Sequence, residues 1–263
     1  MEKNREGLLY PFIGAWNQRL VEVAGLNFQK LRDFRNEIIS TLRDWITIPQ
    51  YQSASYYQGL FRLRDEYNFP LRVFSLNYDL CLEKVAGVRP IETGFDPANR
   101  TWDGRRFESR EEDAPAVYLY KLHGSISWYR EEAAGNVLKE AESPPAVSDI
   151  IFGTDYKMQY IDPYLFYAYE LRRWSLEAQV ILAIGYSFRD PHINGIIEQA
   201  LRNNQRRMLV AVSPEAPSEV KRLRNCSSQC VHEAANAKKF LSSVSVSKLE
   251  QLAGIRDVPG DGF

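Results

Sequence analysis

The chain has 263 residues, 33 Lys plus Arg against 34 Asp plus Glu, a net charge of −1 and a hydrophobic content of 44%. A chain of that length and composition buries about 70–75% of its unfolded surface, and the composition argues against a disordered tail. The balanced charge supplies no global field for nucleic acid or an anionic membrane, and the longest apolar run, Val180–Ile184, is far short of the roughly 20 residues of a membrane helix.

Residues 1–70 read as a helical region. Leu31, Phe34, Ile38, Leu42 and Trp45 recur at three- and four-residue intervals, the stripe of an amphipathic helix that Pro49 ends. A second helical pattern carries Tyr56, Tyr57, Leu60, Phe61 and Leu63. From Leu71 the texture changes: Leu71-Arg72-Val73-Phe74-Ser75-Leu76 is a short apolar run that ends in Asn77-Tyr78-Asp79, with a short helix to about Val85. Residues 86–116 hold Pro90, Gly94, Pro97, Asn99 and Gly104 and are expected to form an irregular insertion. The next strand, Val117-Tyr118-Leu119-Tyr120-Lys121-Leu122, stops at His123-Gly124-Ser125.

A hairpin or loop through Gly135 and Pro144-Pro145 leads to a short strand at Ile150-Ile151-Phe152, and an aromatic helix follows over about residues 163–176. The continuous apolar strand at 180–184 ends in Gly185-Tyr186-Ser187, and a helix follows over about 191–203 with Pro191 in its first turn. Met208-Leu209-Val210-Ala211-Val212 is a further buried strand, ending at Ser213-Pro214. Short helices and one strand near Val231 complete the core to about residue 245, and 246–263 form a C-terminal tail.

Continuous apolar strands alternating with helices predict the α/β class: a doubly wound, mainly parallel, Rossmann-like sheet over residues 71–245, in a single domain spanning 1–263. In that class ligands bind at the carboxyl ends of the strands. Three such ends carry small or chemically capable groups: Asn77 and Asp79, then His123, Gly124 and Ser125, then Gly185 and Ser187. Each has an ordinary structural alternative. Asn and Asp after a strand cap helices and close turns, a histidine can be a satisfied core residue, and Gly185 can serve close packing. Their shared edge is what sets the three apart.

Cys81, Cys226 and Cys230 cannot form a disulfide framework, and no secretory signal opens the chain, so a cytoplasmic location is expected. Cys226 and Cys230 lie four apart with His232 nearby, which does not complete a four-ligand zinc site. Arg202, Arg206, Arg207, Lys221, Arg222 and Arg224 read as a solvated basic face, which leaves direct contact with nucleic acid unsupported. Tyr164, Phe166, Tyr167, Tyr169 and Trp174 read as helix core and interface.

Ser75-Leu76-Asn77-Tyr78-Asp79 resembles the Thr-x-Asn-x-Asp motif of sirtuins, Lys121-Leu122-His123-Gly124-Ser125 resembles their strand-ending His-Gly, and Gly185-Tyr186-Ser187 resembles their Gly-Thr-Ser turn. The string from Ile184 through Asp190 to Asn194, and Ile151-Phe152-Gly153-Thr154, are similar to a bacterial sirtuin-like branch whose members destroy NAD in anti-phage defence. The resemblance covers about residues 70–245. It implies a sirtuin-type fold with NAD as substrate, Asn77 and His123 as catalytic residues, and Asp79, Gly124, Gly185, Ser187 and Ser213 as cofactor-binding residues. Cleavage of the nicotinamide–ribose bond is the implied reaction, with an activating protein partner or homo-oligomer controlling it.

Two family features are absent from the expected places. Three cysteines cannot supply the four-cysteine zinc module of protein-deacylating sirtuins, so no zinc is expected and NAD-dependent deacylation is disfavoured. The Gly-Ala-Gly-x-Ser turn that grips the pyrophosphate is also not found; residues 8–13 followed by Gly14-Ala15 come nearest, but Pro11 interrupts the strand. Either the chain begins at an internal Met, or the loop has been lost and the domain is a degenerate nucleotide-binding or scaffold module.

Overall fold

The computed structural model of the chain describes residues 22, 28–108, 114–151, 161–224 and 227–254. The apolar runs form strands that pair in parallel. Leu71–Ser75 (β1), Ile91–Glu92 (β2) and Val117–Lys121 (β3) make a three-stranded sheet in the order β1-β3-β2. Val180–Ile184 (β6), Met208–Val212 (β7) and Cys230–Glu233 (β8) make a second one in the order β6-β7-β8. Trp128–Glu131 (β4) and Val137–Glu140 (β5) pair as an antiparallel hairpin.

Helices fill the connections, as parallel pairing requires. Phe28–Ile46 (α1) and Gln58–Tyr67 (α2) precede the first sheet, with a 3-10 turn, Tyr51–Tyr57, between them. Cys81–Ala86 (α3) follows β1, Tyr164–Glu177 (α4) precedes β6, and Pro191–Asn203 (α5) joins β6 to β7. Ala216–Glu219 (α6), Ala237–Ser243 (α7) and Val246–Ala253 (α8) complete the described α-helices.

Side-chain alternation explains why both sheet faces are covered. In β3, Val117 and Leu119 join a cluster with Leu60, Phe61, Phe240 and Leu241, whereas Tyr118 and Tyr120 join Phe107, Trp128 and Tyr167 on the other face. In β7, Val210 and Val212 enter that first cluster, while Leu209 and Ala211 meet Ile197 and Leu201 of α5. One apolar cluster therefore runs across both parallel sheets. The opposite face of β3 is aromatic: Tyr120 stacks on Phe107 at 4.5 Å and meets Tyr167 edge-on at 5.6 Å. Each fully buried Leu or Phe contributes about 1.5–3 kcal/mol, so the two-sided core holds the strand ends in register.

Three expectations need correction. The insertion at 86–116 is not wholly irregular, since Ile91 and Glu92 pair with Val117 and Tyr118 and Gly104–Glu108 is a 3-10 turn. A two-residue strand is too short to leave a periodic trace. The α1 stripe is only partly covered: Phe34 is 60% and Trp45 78% exposed, Ile38 and Leu42 are half-buried, and Ile39 beside them is wholly buried. Arg207 is not on a solvated face either. It is buried, and its guanidinium donates to the carbonyls of Leu176, Ala178 and Ala200, joining the end of α4 to α5.

Candidate functional site

Strand register sets the level at which the polar residues leave the sheet. Ser75, the last residue of β1, pairs with Lys121, the last of β3, and Leu122 N–H donates to Ser75 O at 2.9 Å. Asn77 and His123 each follow two residues beyond that pair, so both emerge at one level of the carboxyl edge. Asn77 is exposed, and its backbone N–H donates to Ser75 Oγ at 3.2 Å. Asp79 Oδ1 accepts from Cys81 N–H at 2.8 Å and opens α3. Burial, then the hydrogen bond and charge of Asp79, pushes the Cys81 thiol up to about 12, which leaves it a protonated, unreactive group.

His123 is 6% exposed, and its carbonyl accepts from Ile151 N–H at 2.8 Å. The Tyr78 ring lies 6.4 Å from its imidazole, and the Tyr78 hydroxyl donates to Ile151 O at 2.5 Å. Gly124 adopts φ +85°, and a Cβ there would lie 2.3 Å from Asp149 O. Only glycine allows the segment before Ile151 to approach the histidine turn so closely.

The second sheet supplies the other side. Gly185 and Phe188 have φ of 66° and 53°, folding the residues after β6 into a double turn. Gly185 N–H donates to Val212 O at 2.8 Å, and Ser187 O accepts from Arg222 Nη1 at 2.6 Å. The Tyr186 hydroxyl hydrogen-bonds Asn194 Oδ1 at 2.8 Å, and Asn194 Nδ2 donates to Phe188 O at 2.8 Å, which locks the turn onto α5. Burial pushes the Tyr186 phenol upward and keeps it a donor. Ser213 donates its hydroxyl to Glu219 Oε2 at 2.7 Å and accepts from Glu215 N–H at 3.0 Å, so that side chain serves the α6 turn.

Asp190 joins the two sides. Its Oδ1 caps α5, accepting from His192 N–H at 3.0 Å and Ile193 N–H at 3.4 Å. Its Oδ2 lies 3.4 Å from His123 Nε2, with both side chains buried. A cleft of about 20 Å³ lies beside the pair, lined by His123, Tyr164, Asp190 and His192, which is room for about one water. The approach does not meet hydrogen-bond geometry, but a buried carboxylate this close to an imidazole at a strand-end edge is a setting suited to proton transfer.

A family model described as a SIR2-like domain matches residues 71–236, more than half of the chain and every candidate site residue. The chain belongs to the SIR2-like domain family. Two solved Sir2 homologues, a serine-to-alanine mutant and a histidine-to-asparagine mutant, each in complex with ADP-ribose, are similar to it at 15% identity. Their TM-scores are 0.48 and 0.47, and each comparison covers 96% of this chain and 86% of the other. No curated protein sequence matches the chain.

This SIR2-like domain uses residues that sequence reasoning passed over. Lys121 is buried at the end of β3 and donates to Asp79 O and to Glu83 Oε1, the latter at 3.0 Å, so it holds the turn that carries Asn77 and Asp79. A lysine closing an apolar strand was the available signal, because a buried lysine needs partners. Beneath the turn, Ser125 Oγ reaches Tyr78 O at 3.4 Å and Ser127 Oγ at 3.2 Å, and Ser127 Oγ donates to Glu140 Oε1 at 3.4 Å. Burial, with Glu83 nearby, holds the Glu140 carboxyl above its usual range. Asp190 entered the sequence reading only inside the string from Ile184 to Asn194, with no role of its own.

Gly14-Ala15 and residues 8–13, Phe152-Gly153-Thr154 and Cys226 lie outside the described residues. Among the described residues, no group of three His, Cys, Asp or Glu side chains could hold a metal ion, and no helix is long and apolar enough to cross a membrane.

Proposed function

We propose that this SIR2-like domain binds NAD and hydrolyses it to nicotinamide and ADP-ribose, in the bacterial cytoplasm and as part of anti-phage defence. The observation that carries the reading is the buried His123–Asp190 pair, 3.4 Å apart, on the carboxyl edge where Asn77 also emerges. Asn77, Asp79 and His123 take the nicotinamide end of the substrate, Gly124 binds it beside His123, and Gly185 and Ser187, with Ser213, line the adenosine side. Ser213 contributes there through its backbone, because its hydroxyl is bonded to Glu219.

The Asn77 amide orients a water at the anomeric carbon, and Asp79 accepts from the nicotinamide carboxamide. His123 takes the water's proton as the oxygen bonds to that carbon. The bond to the nicotinamide nitrogen breaks, its electron pair returns to the pyridinium ring, and His123 passes the proton to solvent. General-base help of this kind is worth about 10²–10⁴ in rate. An activating protein partner or self-assembly belongs to the reading, because unchecked NAD loss kills the host.

The test is to incubate the protein with NAD across a range of protein concentrations and to follow both products. Equal amounts of nicotinamide and ADP-ribose are expected; consumption that depends on an acetylated peptide and yields the free peptide would establish deacylation instead. A second reading, a degenerate nucleotide-binding or scaffold module, is favoured by the near-complete burial of His123 beside a cleft of about 20 Å³. It predicts no turnover and a melting temperature indifferent to NAD, since only a ligand that binds the folded state raises it.

A further inference from the structure

We propose that Asp190 is a positioning residue whose carboxylate holds the Nε2 proton of His123 and so leaves the imidazole lone pair on Nδ1. Its catalytic consequence rests on the reading of His123 as the base; its geometry does not. Oδ1 of Asp190 is committed to His192 N–H and Ile193 N–H at the first turn of α5, and Pro191 fixes the backbone that follows. The Asp190 carbonyl accepts from Asn194 N–H at 3.0 Å. The side chain therefore has one orientation, which sets Oδ2 3.4 Å from Nε2; the approach is too poorly aligned for a hydrogen bond as it stands, so the carboxylate acts on the imidazole through its charge at close range.

His123 is restrained as firmly. Its carbonyl is bonded to Ile151 N–H, and Gly124 is wedged against Asp149 O and the Tyr164 hydroxyl. A neutral imidazole carries one proton, and a carboxylate facing Nε2 can only accept. The proton stays on Nε2, and Nδ1 is left as the basic nitrogen.

The double duty of Asp190 makes an isosteric substitution decisive. Asn caps a helix as well as Asp does, so Asp190→Asn keeps α5. The cap demands an acceptor toward two N–H groups, so the amide oxygen takes the place of Oδ1 and the NH₂ takes that of Oδ2. That NH₂ donates to Nε2 and moves the imidazole proton to Nδ1, reversing the tautomer. Asp190→Ser also keeps a cap but is too short to reach His123.

The chain has three histidines, so the imidazole ¹⁵N signals of His123 are assigned by comparison with His123→Gln. Spectra are recorded at about pH 8.5, well above the usual imidazole range. Wild type is expected to show protonated Nε2, Asp190→Asn protonated Nδ1, and Asp190→Ser a mixture. In nicotinamide release from NAD, Asp190→Asn is expected to lose about 10²–10⁴ in kcat with KM little changed, the behaviour of a base in the wrong tautomer. A reversed tautomer with no release even from wild type leaves the positioning intact and removes the hydrolase reading. A folded Asp190→Asn with the wild-type ¹⁵N pattern overturns the positioning whatever its turnover; should that variant not fold, a wild-type pattern in Asp190→Ser does the same.

Discussion

Gly124→Ala would put a methyl group 2.3 Å from Asp149 O, 2.9 Å from the Tyr164 hydroxyl and 3.1 Å from Ile150 Cα, on a backbone with φ +85°. The neighbouring segment cannot retreat cheaply. Ile150 bridges Gly124, and Ile151 N–H is bonded to His123 O. The left-handed conformation costs about 1–2 kcal/mol for a residue with a Cβ. Forcing a methyl against fixed backbone costs about 1–3 kcal/mol more. At about 2–4 °C per kcal/mol for a chain of this size, the melting temperature should fall by about 4–20 °C. Gly185→Ala is the control: φ is +66°, but nothing lies within 4 Å of the added Cβ, so only the conformational share applies, about 2–8 °C. Thermal melts of the two variants in matched buffer separate the terms. A Gly124→Ala protein that melts no lower than Gly185→Ala would refute the close-approach argument.

Lys121→Met should lower the melting temperature by about 2–10 °C, because the carbonyls and the Glu83 carboxylate it serves lose a buried donor, and hydrogen exchange at residues 77–81 should quicken. Exchange unchanged from wild type would show that the turn stands without it. Arg207→Met should be destabilising in chemical denaturation, at about 1–3 kcal/mol for each carbonyl that stays buried without its shared donor, and Arg207→Lys should recover only part, since one ammonium cannot span all three. Equal stability of the Lys variant and wild type would count against the three-way joint. Burial raises the Glu140 carboxyl above its unfolded value, so the folded state binds that proton more readily; the stabilisation is full below the unfolded glutamate value and is lost as pH rises through the folded one. Glu140→Gln, which keeps an acceptor for Ser127, should therefore melt higher than wild type at pH 7, with the gain shrinking toward about pH 4. A gain that grew on acidification would reverse the sign of the argument.

Local periodicity carried most of the fold. β3, β6 and β7 were legible because a strand covered on both faces is apolar at successive positions, and α5 because Pro191 suits a first helical turn in sequence as it does in space. Pairing across elements has no such local trace. Nothing in the chain order says that the cap of α5 reaches the histidine after β3, or that Arg207 turns inward to three carbonyls rather than out with Arg206. The α1 stripe shows the converse: its spacing is helical and its helix is real, yet Phe34 and Trp45 face solvent, because periodicity reports a face and not what covers it. For the site, Asn77 and His123 were placed on one edge by the strand-end rule, and parallel register sets them level. Lys121 and Asp190, which hold the two turns, escaped notice because their partners are distant in sequence.

Nicotinamide release from NAD by the purified protein, measured beside His123→Gln with both proteins shown to be folded at the assay temperature, tests the proposed chemistry most directly. The account predicts equal nicotinamide and ADP-ribose from wild type and a loss of about 10²–10⁴ in rate in the variant. A variant as fast as wild type would contradict it, as would a folded wild type that releases no nicotinamide at any protein concentration.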